Sequence, residues 1–389
     1  MKKLLVAFLV AAAASSSAYA QSSVTIYGLL DVGYIGTNYK GTGTSASTKQ
    51  TTNAFGTNAE SNSRLGFRGS EDLGGGMSAI FTVETGLNPT NSTASTFNNR
   101  QSFVGLKQNG LGQVAVGTQY TLIHVAVGQT SANQQNNMVG DVIYASNPQL
   151  NGNSGSSTFA NSTSSAGTSD AYTVRVSNAL TVTSDKFKGF TGTGFVTANN
   201  ANSTQTSATE GGETNYSGFG IGVNYNWQKL LVTANYQALK SQVPGTLTSP
   251  TPALWTGASG GVNTQDNQTY VAATYDFGIL KAYAQWIDRK ATSTLNSNYF
   301  ASRTAQQVGV RGNFRPNIDA WASVGTGRVD GFGPTVPTAN FVGYQVGSNY
   351  YLSKRTNLYA IYGQNNTSST STLPAVAAST YAVGVRHTF

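Results

Sequence analysis

The segment from Thr380 to Phe389 most constrains the fold. Tyr381, Val383, Val385, His387 and Phe389 fall on one parity, and Thr380, Ala382, Gly384, Arg386 and Thr388 on the other. Successive side chains of a strand point to opposite faces, so these residues read as a strand with one mainly apolar face and one polar or small face. A two-faced strand that ends on a bulky aromatic needs a partner. In a closed barrel the last strand pairs with the first, and closure removes both edges. Val24 to Ile35 alternates in the same way and is the natural first strand. These two segments define the expectation: an all-β protein, a transmembrane antiparallel barrel sealed by its final strand.

The beginning of the chain favours export. Lys2 and Lys3 precede an apolar run from Leu4 to Ala14, and Ala18-Tyr19-Ala20 has the small-x-small form of a cleavage site. Residues 1–20 therefore read as a signal peptide, with the mature chain expected from Gln21. About 11 apolar residues are too few for a membrane-spanning helix, which needs roughly 20. Removal of Lys2 and Lys3 leaves 21 basic against 15 acidic side chains, a balance of about +6. The mean hydropathy of −0.23 is compatible with a membrane barrel, because lipid-facing and lumen-facing residues alternate along each strand. Charged residues make up only 10%, against 44 glycines and 20 tyrosines. That balance suits strands joined by polar loops, and the regular aromatic and β-branched runs argue against disorder. There is no cysteine, so an exported chain of this kind relies on its hydrogen-bonded ladder rather than on disulfides.

Taken in order, the chain offers sixteen strand candidates. Val24–Ile35 comes first, then a polar loop from Gly36 to Glu60. Asn62–Gly69 and Met77–Gly86 flank a glycine-rich turn, and Arg100–Lys107 and Gln113–Tyr120 form a hairpin around Asn109-Gly110. A long irregular stretch rich in Asn, Gln, Ser and Gly follows from Thr121 to Asp170. Loops of such length are usually functional or disordered. Beyond it, Tyr172, Val174, Val176, Leu180 and Val182 share one parity. Further strands are expected between Phe190 and Phe389; among them is a hairpin around Gln228-Lys229. Short connections alternate with long ones, the signature of an outer-membrane barrel with periplasmic turns and extracellular loops. A soluble β-helix would show a short fixed repeat, which is absent from the sequence. Tyr34, Tyr216, Trp227, Tyr350 and Tyr351 lie at strand ends and suit interfacial girdles.

Four blocks carry a family resemblance. They are Gln21 to Gly28 (QSSVTIYG); Ser63 to Gly76 (SRLGFRGSEDLGGG) with Ala79, Phe81 and Glu84; Arg100 to Leu106 (RQSFVGL) with Gly112, Val116 and Gly117; and Val383 to Phe389 (VGVRHTF). Together they resemble the trimeric general porins of the Gram-negative outer membrane, in the β-proteobacterial branch, over residues 21–389. The resemblance implies a 16-stranded barrel, a homotrimer, and an environment of outer-membrane lipid including lipopolysaccharide. It implies that residues 121–170 fold into the barrel as a pore-constricting third loop. It also implies that the terminal strand, with Phe389, is read by the outer-membrane assembly machinery. The function implied is passive diffusion of ions and small hydrophilic solutes.

By motif position the resemblance assigns Arg64, Arg100 and Arg175 to the pore wall, with Glu84 as an acid of the third strand. Alternation separately places Arg64 and Arg175 opposite the apolar parity, while Arg100 is ambiguous because both parities of its strand carry apolar residues. Arg68, Arg311 and Arg386 also lie on polar parities. The expected loop departs from the family pattern at Gly117-Thr118-Gln119. Before Asp170 it holds one acid, Asp141, and no Lys or Arg. Three arginines against two acids in a confined pore predict a preference for anions.

Other chemistry finds little support. His124 and His387 have no spacing suited to a metal, and no cofactor is expected. Gly218 to Gly222 is glycine-rich but continues as a strand pattern, so it is not a nucleotide fingerprint. No Lys/Arg cluster suggests a nucleic-acid partner. An enzyme is not expected. The competing readings are a surface-interaction barrel, an adhesin or receptor whose loops bind a partner, and a substrate-specific channel.

Overall fold

The computed structural model describes residues 23–41, 49–90, 100–144, 171–200, 215–242, 264–294, 297–332, 338–368 and 375–389. The expected signal peptide and residues 145–170 of the long loop lie outside these. The strands are β1 (Ser23–Lys40), β2 (Lys49–Thr57), β3 (Arg64–Gly74), β4 (Met77–Gly86), β5 (Ser102–Gln108), β6 (Gly112–Tyr120), β7 (Arg175–Ser184), β8 (Phe190–Asn200) and β9 (Asn215–Trp227). They continue as β10 (Leu230–Gln242), β11 (Thr264–Asp276), β12 (Leu280–Ser293), β13 (Phe300–Arg315), β14 (Ile318–Phe332), β15 (Ala339–Tyr351), β16 (Thr356–Thr367) and β17 (Val376–Thr388). One helix among the described residues, α1 (Leu122–Thr130), lies in the long loop.

All neighbours are antiparallel, and β1 pairs with β17 from Leu29↔Thr388 to Lys40↔Ala377, which closes the barrel. The closure is finished by reciprocal backbone bonds between Gly28 and Phe389, 3.1 Å each way. A Cβ on Gly28 would sit 2.5 Å from the Phe389 ring and 2.6 Å from the Arg64 carbonyl oxygen, so the seam is built around a glycine.

The seventeen strand segments occupy sixteen barrel positions, because β2 and β3 both pair with β1. Val32–Lys40 of β1 pairs with β2, and Ser23–Leu29 pairs with β3. This corrects the expectation of a polar loop from Gly36 to Glu60: β1 runs on to Lys40 and β2 returns beside it. Asn58 breaks the second wall strand with φ +71°, and residues 58–63 swing inward. The Asp31 carboxylate holds the excursion, accepting from Glu60 N at 2.7 Å, Ser61 N at 2.6 Å and Tyr359 OH at 2.6 Å.

One face of the wall is apolar and bare. Val104, Val116, Val182, Ile221, Val308 and Val383 are all more than half exposed, as a lipid-facing surface requires. Tyr34, Trp227 and Tyr350 are exposed with them. Tyr351 differs from the girdle expectation: its hydroxyl donates to Asp319 Oδ2 at 2.8 Å, and the chain turns it inward. The side chain of Tyr216 lies outside the described residues.

The opposite parity faces inward, and much of it is polar and buried, including Gln237, Gln268, Gln307 and Gln345. These amides are covered by the long loop. Its apolar pairs Leu122-Ile123 and Ala126-Val127, with Thr130, recur at helical spacing and form the buried side of α1. Thr121 caps α1 by accepting from His124 N at 3.3 Å. The segment expected to be irregular thus begins with a helix. Among the described residues no helix is long and apolar enough to cross a membrane.

The run from Tyr172 to Val182 keeps its parity in sequence but not in space. Asn178 has φ +51°, and the β6–β7 register shifts between Gly117 and Gln119. Leu180 and Val182 remain outside, while Tyr172, Val174 and Val176 are buried, Val176 in a cluster with Leu122 and Phe195. A bulge of this kind re-aims the side chains beyond it.

Candidate functional site

After α1 the chain crosses the lumen and is tied to the far wall. Arg311 Nη1 donates to Ala132 O at 3.1 Å, and Gln345 Nε2 donates to Val139 O at 3.1 Å. Val142 N donates to Gln307 Oε1 at 2.9 Å, while Arg303 Nη2 donates to Val142 O at 2.6 Å. Asn137 reaches the inward excursion, its N donating to Ala59 O at 3.0 Å and its Nδ2 to Asn58 O at 2.7 Å. Residues 121–144 therefore lie inside the barrel, held at both ends and along one side.

Where the loop enters, three wall arginines meet. Arg64 opens β3, Arg100 precedes β5, and Arg175 opens β7. Glu84 of β4 lies between Arg64 and Arg100, almost fully buried. Arg64 Nε is 3.4 Å from Glu84 Oε2, and Arg100 Nε donates to Glu84 Oε1. Tyr27 OH donates to Glu84 Oε2 at 3.2 Å. One carboxylate thus serves two guanidinium groups and a phenol, and Arg175 has no carboxylate partner among the described residues.

Tyr120 organises the rest, and the sequence patterns did not single it out. Arg100 Nη2 donates to its hydroxyl at 2.5 Å, the Arg175 guanidinium carbon lies 5.6 Å from its ring centre, and His124 stacks on it at 4.4 Å. A usable signal was its place as the last strand residue before the long loop. His124 is half-buried by area, but Tyr144 and Tyr172 flank it at 5.9 and 6.0 Å. Burial, and then the charges of Arg175, Arg100 and Arg64, push its imidazole down from 6.5 to about 3. The ring is neutral at physiological pH.

Asp141 is not in this cluster. It is buried in the loop and accepts from Asn133 Nδ2 at 2.6 Å, Ile143 N at 2.7 Å and Tyr144 N at 2.9 Å. Arg386 stands opposite Asp31 in the β1–β17 register, and the Arg68 guanidinium lies 5.2 Å from the Tyr27 ring centre. On the far wall Arg289 pairs with Asp266 and Arg311 with Asp319, each at 2.6 Å. Among the described residues no group of His, Cys, Asp and Glu has the makings of a metal site.

A family model described as Gram-negative porin matches residues 7–370. The chain is 43% identical over 118 residues to outer membrane porin protein 32 of Delftia acidovorans, covering 30% of this chain and 31% of that one. It is 35% identical over 129 residues to an outer membrane porin protein of Bordetella pertussis, covering 31% and 34%. The aligned stretches thus span about a third of the length of these curated relatives. Among solved structures, an anion-selective porin from Comamonas acidovorans superposes with a TM-score of 0.68, at 21% identity, over 95% of this chain and 100% of that one. That likeness establishes the fold.

Proposed function

The chain belongs to the Gram-negative porin family, and from that premise we propose that it forms a water-filled outer-membrane channel for passive diffusion of ions and small hydrophilic solutes, with a preference for anions. The observation that carries the preference is the sharing of Glu84 by Arg64 and Arg100, with Arg175 alongside and without a carboxylate among the described residues. Selectivity in a pore follows its width and the charge of its lining. Other buried wall acids lie away from the cluster: Asp31 and Glu60 at the inward excursion, Asp266 on Arg289, Asp319 on Arg311. The uncompensated field around the arginine cluster is therefore positive. The structural neighbour from Comamonas acidovorans is itself described as anion-selective, which agrees with this reading.

In this reading residues 121–170 are the constricting loop, and Arg64, Arg100, Arg175 and Glu84 line the narrow zone. Asp141 is an acid of this loop and shapes it through backbone bonds. The channel works as a homotrimer embedded in outer-membrane lipid, including lipopolysaccharide. The assembly machinery reads the strand that ends at Phe389. The protein has no enzymatic role.

The test is the reversal potential of the purified protein in a planar bilayer under a salt gradient. An anion-selective potential with conductance steps in multiples of three is expected. A cation-selective potential sinks the charge argument. A folded, heat-modifiable protein that does not conduct moves the assignment to a surface-interaction barrel.

A further inference from the structure

Beside the arginine cluster, on the other side of Tyr120, lies a cavity of about 320 Å³ between α1 and the inner faces of β5 to β10. That size is at the lower end of small-molecule sites. None of the residues that line it carries a charge. Its hydroxyls come from Thr181, Thr183, Thr191 and Thr193, and its amides include Gln101, Gln113 and Asn224.

The polar groups are laid out by the strand register. Gln113 faces Thr183 across β6–β7, Thr183 faces Thr193 across β7–β8, and Thr191 faces Asn224 across β8–β9. Period-two alternation aims them all at the lumen. Gln119 and Thr181 are already engaged with each other at 2.7 Å. The side chains of Gln113, Thr183, Thr191 and Thr193 line the cavity without a hydrogen bond to any described residue, so their donors and acceptors are open to a solute. Gly222 keeps the floor clear: a Cβ there would meet Asn235 Oδ1 at 2.1 Å and Leu122 Cδ1 at 3.5 Å. Phe103 and Tyr120 supply aromatic surface, and Leu122, Val125 and Ala126 of α1 supply an apolar side.

We infer that this cavity is a binding subsite for an uncharged, hydroxyl-rich solute, a small sugar or polyol. Threonine hydroxyls and amides both donate and accept, which matches a molecule whose hydroxyls do the same. The aromatic and aliphatic surfaces suit its C–H faces. A charged solute would lose hydration here without gaining a counter-charge, and the arginine cluster next door would hold an anion better. The lumen thus offers two neighbouring environments, one for anions and one for neutral hydroxylated solutes. The subsite rests on the channel reading only for access from bulk water.

Saturation-transfer NMR on the folded full-length protein in detergent tests it, with sucrose as probe and a polyethylene glycol of matched hydrodynamic radius as control. Saturable transfer to sucrose, and none above background to the glycol, is expected. The Thr183→Val/Thr191→Val/Thr193→Val variant should bind sucrose about tenfold more weakly, since each lost hydrogen bond is worth a few-fold. Heat-modifiable migration reports that the variant is folded, and Thr193→Val alone replaces it if it is not. Sucrose transfer no greater than that of the glycol, or undiminished in the folded variant, overturns the inference. A bilayer recording on the same sample separates the two readings: loss of conductance with sucrose binding intact breaks the channel assignment alone.

Discussion

Arginine stands on both walls of the lumen in two different settings. On the wall of β11 to β14 each of three guanidinium groups is answered: Arg289 by Asp266, Arg311 by Asp319, and Arg303 by the carbonyl of Val142. On the wall of β3 to β7, Arg64 and Arg100 share Glu84, and Arg175 rests against Tyr120. The first setting pairs Arg289 and Arg311 with carboxylates, and Arg311 and Arg303 tie the wall to the loop. In the second, three guanidinium groups stand around one carboxylate. The same residue type is a structural tie in one place and, in the function proposed above, a field source in the other.

The largest effect is expected from breaking a matched pair. Arg289→Ala leaves the Asp266 carboxylate buried without its counter-charge, with only the Gln268 amide donating to it among the described residues, and removing one partner of a buried pair costs about 3–5 kcal/mol. Heat or urea unfolding, followed by the loss of the fast-migrating folded band, should show it, with little change in ion selectivity. Replacing Arg64, Arg100 and Arg175 together by Gln should do the reverse. Each charge is worth about 0.5 kcal/mol to an ion passing some 8 Å away through water. Because each charge acts with opposite sign on an anion and a cation, the three together predict about a hundredfold fall in the anion-to-cation permeability ratio, read from the reversal potential. Wild-type selectivity in that variant would show that the surplus lies elsewhere.

Glu84→Gln sharpens the comparison in the other direction. Removing the one shared carboxylate should raise the anion-to-cation ratio by about fivefold on the same scale. A fall instead would mean that Glu84 acts mainly by holding the arginines in place. The smallest effect is expected at His124. Its folded value of about 3 lies below the unfolded 6.5, so the unfolded chain takes up the proton first as pH falls. Its contribution to stability is complete above about pH 6.5 and declines as pH falls toward about 3. Between about pH 5 and 8 the ring stays neutral in the folded channel, and the reversal potential should show no step that His124→Gln removes.

Much of this architecture is legible in the residues. Met77–Gly86 matches β4 at both ends, Phe190 begins β8, and the hairpin expected around Gln228-Lys229 joins β9 to β10. The misses have local causes. β2 hid in a polar Thr/Asn/Gly stretch, because its side chains are largely exposed and it gains stability from the ladder with β1 rather than from an apolar face. The helix α1 was masked by the amide-rich residues that follow it, although Leu122, Ile123, Ala126 and Val127 carried its period. Alternation places Arg175 in the lumen on a parity that the bulge at Asn178 breaks, so its position beside Tyr120 comes from the register shift and not from parity.

Alternation is a local steric property of the strand, repeated every second residue. The sequence alone could therefore specify a closed barrel, its lipid face, and the polar parity that holds Arg64 and Arg386. Which of those inward groups become neighbours depends on register, on closure, and on the path of a loop packed inside. Those are set only when distant segments meet: Glu84 between Arg64 and Arg100, Asn137 against the excursion at Asn58, and the uncharged side chains of Gln113, Thr183, Thr191 and Thr193 brought together beneath α1.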